Sequence, residues 1–467
     1  MDLDKRSRNR LLSVLFLGVL MGALDIAIVG PALPTIRAAF GIDARTAAWV
    51  FAMYVLFNLI GNPLMAKLSD AFGRRSIYVL DVLLFALGSS IVALSPTFSV
   101  LLAGRAVQGL GAGGIFPVAS AVIGDTFPPE RRGSALGLIG AVFGLAFLLG
   151  PMLAGIVLYF FNWHWLFLIN LPVALVVILL ALRLVPAARP EMRRPFDWVG
   201  MAVLSVFLAA LSFAINHLDA AHLGRSLLSV EVWPFLALTL VSLPVFVSIE
   251  RRAEDPVVHL LLFTSKQVVL ASVLALGAGL AESSTVFVPD LLVHAFSVTT
   301  SQASFMLLPI VLAMAFGSPT FGRMLDKMGS KRVVQVATAL LTLGLLMVGL
   351  LPITLAMFYS AAILVGLGLS GLLGATLRYI MLSEAPRSER AAAQGILSLF
   401  TSIGQLIGGV FVGAMATSRG GGVSGYQFAF AIMGGVVLFL WLSATQLKAR
   451  EAELATARER ETVVEQP

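Results

Sequence analysis

The sequence predicts an all-α integral membrane protein with fourteen transmembrane helices, and three observations carry that expectation. Of its 467 residues 58% are hydrophobic and only 12% charged, with a mean hydropathy of +0.95. So few polar side chains cannot cover a soluble globule of this size. Apolar runs of about 20 residues, enough to cross about 30 Å of hydrocarbon as a helix, recur from end to end, and the alternating strands of a membrane barrel are absent. A fifteen-residue pattern also occurs twice: Gly61, Pro63, Lys67, Asp70, Gly73 and Arg75 return in register, 256 positions later, as Gly317, Pro319, Arg323, Asp326, Gly329 and Lys331.

Taken in order, the predicted spans lie near 11–32, 46–66, 76–95, 98–125, 134–160, 165–184 and 197–217, then near 230–249, 267–290, 302–322, 332–351, 354–380, 391–416 and 426–447. The first follows a basic stretch (Lys5, Arg6, Arg8, Arg10) as a signal peptide would, but no small-residue cleavage site closes it, so it reads as a retained span. With the N-terminus inside, 26 of the 32 Lys and Arg fall in cytoplasmic segments. Only Arg37, Arg45, Arg225 and Arg419 fall outside, while Arg105 and Arg378 lie within spans. This bias predicts both termini cytoplasmic. Inner loops facing anionic lipid account for the net charge of +7, and no nucleic-acid partner is needed to explain it.

The two copies of the repeat follow spans 2 and 10, so eight spans separate them where a twelve-span protein would have six. The expected organisation is a six-helix bundle over 1–184, a linker with two additional spans over 185–266, a second six-helix bundle over 267–447 and a cytoplasmic tail over 448–467. The tail, rich in Ala, Glu and Arg, predicts a frayed surface helix or disorder. Duplicated halves point to a secondary transporter, because two pseudo-symmetric bundles can rock about a site held between them.

Charges inside spans are costly and mark candidate sites. Asp25 lies deep in span 1 and Glu282 past the middle of span 9; both are proton-coupling candidates, against the plainer readings of an Asp25 ion pair with Arg105 and of a Glu282 near the outer rim. Arg105, flanked by apolar residues, must face a partner or a wet cavity. Asp81, Asp125 and Asp290 sit near span ends, where interfacial solvation is expected. His217, Asp219, His222 and Glu231 crowd one outer loop, but their spacing matches no metal-ligand pattern. There is no cysteine, and no phosphate-binding or nucleophile motif appears.

At these residues the chain closely resembles the major facilitator superfamily, and within it the fourteen-span drug:proton antiporters. The stretch from Gly61 to Arg75 resembles the signature loop after span 2, with Gly61, Asp70, Gly73 and Arg74 as hinge residues, repeated at Gly317, Asp326 and Gly329. Leu101 to Gly113, with Arg105 and Gln108, resembles the Arg-containing motif of span 4. Gly140, Gly144, Gly150, Pro151 and Gly155 in span 5 resemble the antiporter signature that separates exporters from most importers. Asn162 to Pro172 and Phe196 to Gly200 are similar to hallmarks of the fourteen-span subfamily, although His164 stands where Arg is usual. Leu24 to Pro34 is similar to its first-span motif, with Asp25 at the acidic position but Ala27 and Gly30 in place of Thr and Asn.

The resemblance implies the major facilitator fold, two six-helix bundles plus two extra central helices. It further implies a monomeric proton-driven exporter of the bacterial plasma membrane that needs no cofactor or metal beyond the proton gradient. Asp25 would carry the proton, Glu282 a second acidic contact, and Arg105 and Gln108 would serve as charge partner or substrate contact. Lipophilic cations or neutral amphiphiles are the expected cargo, with export of a lipid or secondary metabolite as the alternative. A non-transporting scaffold or intramembrane enzyme would need catalytic residues clustered at one face, and none is visible. The topology is open to test: reporter fusions after Arg252 and Lys448 should read cytoplasmic and one at Gly224 external, whereas an external reading at Arg252 would remove the two-helix insertion.

Overall fold

Fourteen helices are long and apolar enough to span a membrane, and no strand occurs among the described residues. The computed structural model describes residues 5–42, 44–47, 49–187, 197–218, 223–254, 256–258, 260–298, 300–420 and 422–462. The first half holds α1 (Arg6–Phe40), α2 (Trp49–Phe72), α3 (Arg74–Ala93), α4 (Phe98–Thr126), α5 (Pro129–Phe160) and α6 (His164–Leu184). Then come α7 (Trp198–Ile215) and α8 (Trp233–Glu250). The second half holds α9 (Lys266–Phe296), α10 (Leu308–Met328), α11 (Ser330–Leu350), α12 (Leu355–Glu384), α13 (Arg390–Ala416) and α14 (Gly422–Ala444). Each expected span is present. Several run on past the apolar stretch, α1 to Phe40 and α9 to Phe296, because a helix satisfies its own backbone and need not stop where the hydrocarbon does.

Local chemistry sets the ends. Thr97 caps α4 by accepting from the Val100 N–H, and Asp197 caps α7 by accepting from Gly200 N at 2.7 Å. Gly73 and Gly329, at equivalent places in the duplicated pattern, have φ of 95° and 80°, and each turns the chain directly from one spanning helix into the next. A side chain at either φ would be strained, which is why glycine recurs there. Within α12 the helix widens to a π turn over Leu372–Thr376, where Thr376 Oγ1 donates to the Gly371 carbonyl at 2.6 Å.

The two halves meet along two seams. On one, α5 packs against α10 through small residues: Cβ atoms added at Gly133, Gly137 and Gly144 would fall 2.6 to 2.7 Å from Asp326, the Ser318 carbonyl and Ala315. Such contact needs the absence of side chains. Gly150 instead faces Ala27 of α1, and Gly155 has open space beside it. The helix runs unbroken through Gly150 and Pro151. On the other seam α13 packs against α2 and α4, and α7 leans on both α2 and α13. Leu59 of α2 thereby shares an apolar cluster with Met201, Leu204 and Leu208 of α7.

Two expectations need correction. Asp81, expected in solvated interface, is fully buried against Gly114 of α4, and neither carboxylate oxygen has a hydrogen-bond partner among the described residues. The reason is that α3 begins at Arg74, so Asp81 lies two turns inside it. The tail, expected as a frayed surface helix or disorder, is the helix α15 (Arg450–Thr462), and it is docked where fraying was expected. Glu453 of α15 is buried and accepts from Ser330 N at 3.1 Å, Arg450 donates to the Leu325 carbonyl at 3.2 Å, and Arg458 pairs with Glu130 of the first half at 2.9 Å. Residues Arg189, Arg193, Arg194, Phe196, Asp219 and His222 lie outside the described residues.

Burial pushes the Glu453 carboxyl above its usual range, against the Ser330 hydrogen bonds that draw it down. Its docked form therefore favours the proton, so the contribution to docking is present at low pH and fades as pH rises through the raised value. Hydrogen exchange over 450–462, corrected for intrinsic rate, should show more protection at pH 5.5 than at pH 8. Glu453→Gln should remove the difference; equal protection at both values in the parent chain would refute the assignment.

Candidate functional site

A cavity of about 210 Å³ lies between the halves. From the first half it is lined by Ala23 and Ile26 of α1, Tyr54, Asn58 and Asn62 of α2, Phe116 of α4, and Gly140 and Phe143 of α5. From the second half come Glu282 of α9, Met314 and Ser318 of α10, Arg378 of α12, and Ser398, Thr401 and Gln405 of α13. The wall is mostly apolar with a few convergent polar groups, the pattern of a small-molecule site. Its two charges both belong to the second half. Glu282 Oε2 accepts from Gln405 Nε2 at 2.7 Å. Arg378 is buried, donates to Gln394 at 3.2 Å and Ser398 at 3.4 Å, and lies over the Phe116 ring at 3.7 Å, a cation–π contact reaching across to the first half.

Asp25 stands just behind the wall. It is fully buried in a network with Arg105, Gln108, Ser89 and Asn170. Arg105 Nη1 donates to Asp25 Oδ2 and to Gln108 Oε1, both at 2.6 Å, and Arg105 Nε donates to the Val50 carbonyl at 3.0 Å. Gln108 Nε2 completes the ring to Asp25 Oδ1 at 2.7 Å and to Ser89 at 2.8 Å. This ties α1, α2, α3, α4 and α6 together around one ion pair, which is how two buried charges are held in hydrocarbon. The Arg105 guanidinium lies 4.3 Å from the centre of the Tyr54 ring, and that ring lines the cavity. Arg105 and Gln108 thus serve Asp25 as partners and are not among the cavity's lining residues.

At the end where the basic loops gather, both copies of the duplicated pattern do the same thing across the seams. Asp70, at the end of α2, accepts from Ala391 N at 3.3 Å and Ala392 N at 2.7 Å, in the first turn of α13. Asp326, at the end of α10, accepts from Gly133 N and Ser134 N at 2.9 Å each, in the second turn of α5, and also from the Ser134 hydroxyl. Each carboxylate accepts from two consecutive backbone N–H groups near the positive end of a helix in the opposite half. Asp70 is further paired with Arg74, and Arg74 and Arg390 both reach Asp125, at 3.0 Å each. Gly61, Gly73, Gly317 and Gly329 shape the backbone around these contacts: a Cβ at Gly61 would meet the Leu110 carbonyl at 2.5 Å, and one at Gly317 the Ser370 hydroxyl at 2.2 Å.

Of the residues the sequence singled out, Glu282 and Gly140 line the cavity and Asp25 adjoins it, while Gly144 and Gly150 pack helices farther along α5. Gln405, Gln394 and Ser398 carry no sequence signal, because a lone polar side chain in a span means little until its neighbour on another helix is known. Arg378 did carry one, as a cation within a span. Among the described residues no group of three His, Cys, Asp or Glu could hold a metal ion.

The Major Facilitator Superfamily profile matches residues 15–281 and again 268–465. The uncharacterized MFS-type transporter YfiU of Bacillus subtilis is 33% identical over 86% of this chain and 78% of its own length. The multidrug resistance protein Stp of Mycobacterium tuberculosis is 31% identical over 94% of this chain and 78% of its own. The crystal structure of the human organic anion transporter MFSD10 (TETRAN) superposes with a TM-score of 0.71 at 19% identity, covering 93% of this chain and 99% of that one.

The two aspartate caps generate a test. Replacing Asp70 or Asp326 by Asn removes a charged cap worth about 1 kcal/mol, so the population open at the basic end should rise about fivefold. The chain has no cysteine, and Ala121→Cys, in the seam cluster of Ala66, Ala121 and Ala391, supplies a maleimide probe. Labelling that stays at the parent rate in both Asn backgrounds would show that the caps do not hold the seam.

Proposed function

Because this chain belongs to the Major Facilitator Superfamily, we propose that it is a proton-coupled exporter that moves small amphiphiles across the bacterial plasma membrane by alternating access. The observation that carries the reading is one cavity, lined by both halves, with those halves clamped together at the basic end by two equivalent aspartate caps. With the basic loops cytoplasmic, as the distribution of Lys and Arg predicts, this is a state shut toward the cytoplasm. Rocking one half on the other breaks the Asp70 and Asp326 caps and opens the same cavity inward. The relative named as a multidrug resistance protein supports drugs as cargo. The cavity's chemistry supports amphiphiles of modest size, with an apolar body and a polar or charged group to meet Glu282 or Arg378. Export of a lipid or a secondary metabolite uses the same geometry and is the alternative the cargo screen must decide.

Glu282 is the acid best placed to exchange a proton with the cavity, since it lines it and holds one neutral partner, Gln405. Asp25 is the second candidate because its Arg105 partner packs on the ring of Tyr54, a residue that lines the cavity. The two roles separate by mutation. Glu282→Gln keeps the hydrogen-bonding shape and should cut proton-driven dye accumulation in everted vesicles at least about tenfold, a change of about 1.4 kcal/mol, with the protein normally folded. Asp25→Asn strands Arg105 in the interior and should cost about 3 to 5 kcal/mol of stability, read as a large fall in melting temperature in detergent. Full proton-dependent transport in Glu282→Gln, together with a stably folded but uncoupled Asp25→Asn, would move the coupling role to Asp25.

A further inference from the structure

A second cavity, of about 380 Å³, lies on the flank of the molecule at the basic end of the α5–α10 seam. Arg8 enters it from α1, Arg131 from the first turn of α5 and Arg323 from the last turns of α10. No hydrogen bond or ion pair engages these three guanidinium groups among the described residues. The nearby acids are committed elsewhere: Asp326 to Gly133 and Ser134, and Glu130 to Arg458. Three converging cations repel one another, and no acid among the described residues pairs with them. The cleft therefore calls for an anion with several acceptor oxygens, and a phosphate matches the guanidinium fork.

The surroundings say what kind of molecule carries that phosphate. Below Arg323 the outer face of α10 continues as Phe316, 73% exposed, and Leu312, 38% exposed, at the spacing that keeps residues on one helix face. Below Arg131 the face of α5 continues as Leu138, 40% exposed, which itself lines the cleft. The cations thus sit at the head of two apolar stripes that face the hydrocarbon. On the other seam α7 leans against α2 and α13, whereas neither α7 nor α8 packs in this way on α5 or α10 among the described residues.

We propose that this cleft binds the phosphate headgroup of an anionic phospholipid from the leaflet at the basic end, with its acyl chains lying along Leu138 and Phe316. Because Arg8 and Arg131 belong to the first half and Arg323 to the second, the bound lipid bridges the halves beside the cap that Asp326 makes on α5. It therefore favours the state closed at the basic end. The site is separate from the central cavity, and the inference stands whatever the cargo.

Native mass spectrometry of the detergent-purified protein, titrated with phosphatidylglycerol or phosphatidylcholine, tests this. The parent chain should retain phosphatidylglycerol preferentially. Arg8→Gln, Arg131→Gln and Arg323→Gln should each weaken retention about fivefold and more together, while Lys327→Gln, one residue past Asp326, should leave it unchanged. Arg131 and Arg323 are exposed, so their single variants remove no core packing and keep the test open if the triple variant fails to insert. Equal retention of the two lipids, or unaltered phosphatidylglycerol retention in Arg131→Gln and Arg323→Gln, overturns the proposal. Displacement of the lipid by equimolar glycerol phosphate also overturns it, since a site for a free phosphate would not need the stripes.

Discussion

A carboxylate set against the backbone N–H groups near the start of a helix in the opposite half occurs twice in this protein, and much of the architecture follows from it. Asp70 on α13 and Asp326 on α5 bring together the positive ends of two helices and the ends of two others. Because each carboxylate engages consecutive backbone donors, its geometry is specific: α13 and α5 must present their N-terminal turns to those carboxylates, and the seams behind them must close. The glycines of α5 allow that approach. The cavity is the space left where the seams part above the caps, so its existence and its lining depend on contacts at the far end of the helices.

Charge inside the membrane is handled in two ways. The first half encloses its pair: Arg105 and Asp25 neutralise each other within a ring of amides and a hydroxyl, and five helices supply parts of that ring. The second half leaves Glu282 and Arg378 at the cavity wall, each with neutral partners only. The closed pair ties five helices of the first half together, and the open groups make the second half the one that offers a ligand charge. The duplication of the halves is therefore close at the hinges and loose at the site.

The sequence was most informative where physics acts on single residues. Apolar length marked every span, and the recurrence of Gly, Pro, Asp and Gly marked both hinges, because glycine at positive φ and aspartate at a helix end have few substitutes. It was least informative where a property belongs to a pair. Asp25 could be seen as an acid in hydrocarbon, but its enclosure by Gln108 and Asn170 depends on how three helices are rotated. Asp81 looked interfacial because a boundary error of a few residues moves a group from water to core. The tail looked weakly helical because its composition is polar, and only docking on Ser330 and Leu325 gives Glu453 and Arg450 their partners.

The π turn at Leu372–Thr376 sets the phase of everything after it in α12. A π turn accommodates one residue more than the α-helix would, so the segment from Leu377 to Glu384 is rotated by about 100° relative to an uninterrupted helix. Arg378 meets Phe116 and Glu384 meets Lys448 only in that rotated phase. A chain one residue shorter at this point could keep the same length of span and the same hydropathy, yet turn its cavity arginine toward a different neighbour. Close relatives that differ by such a deletion would be alike in fold and unlike in the charge they show their cargo.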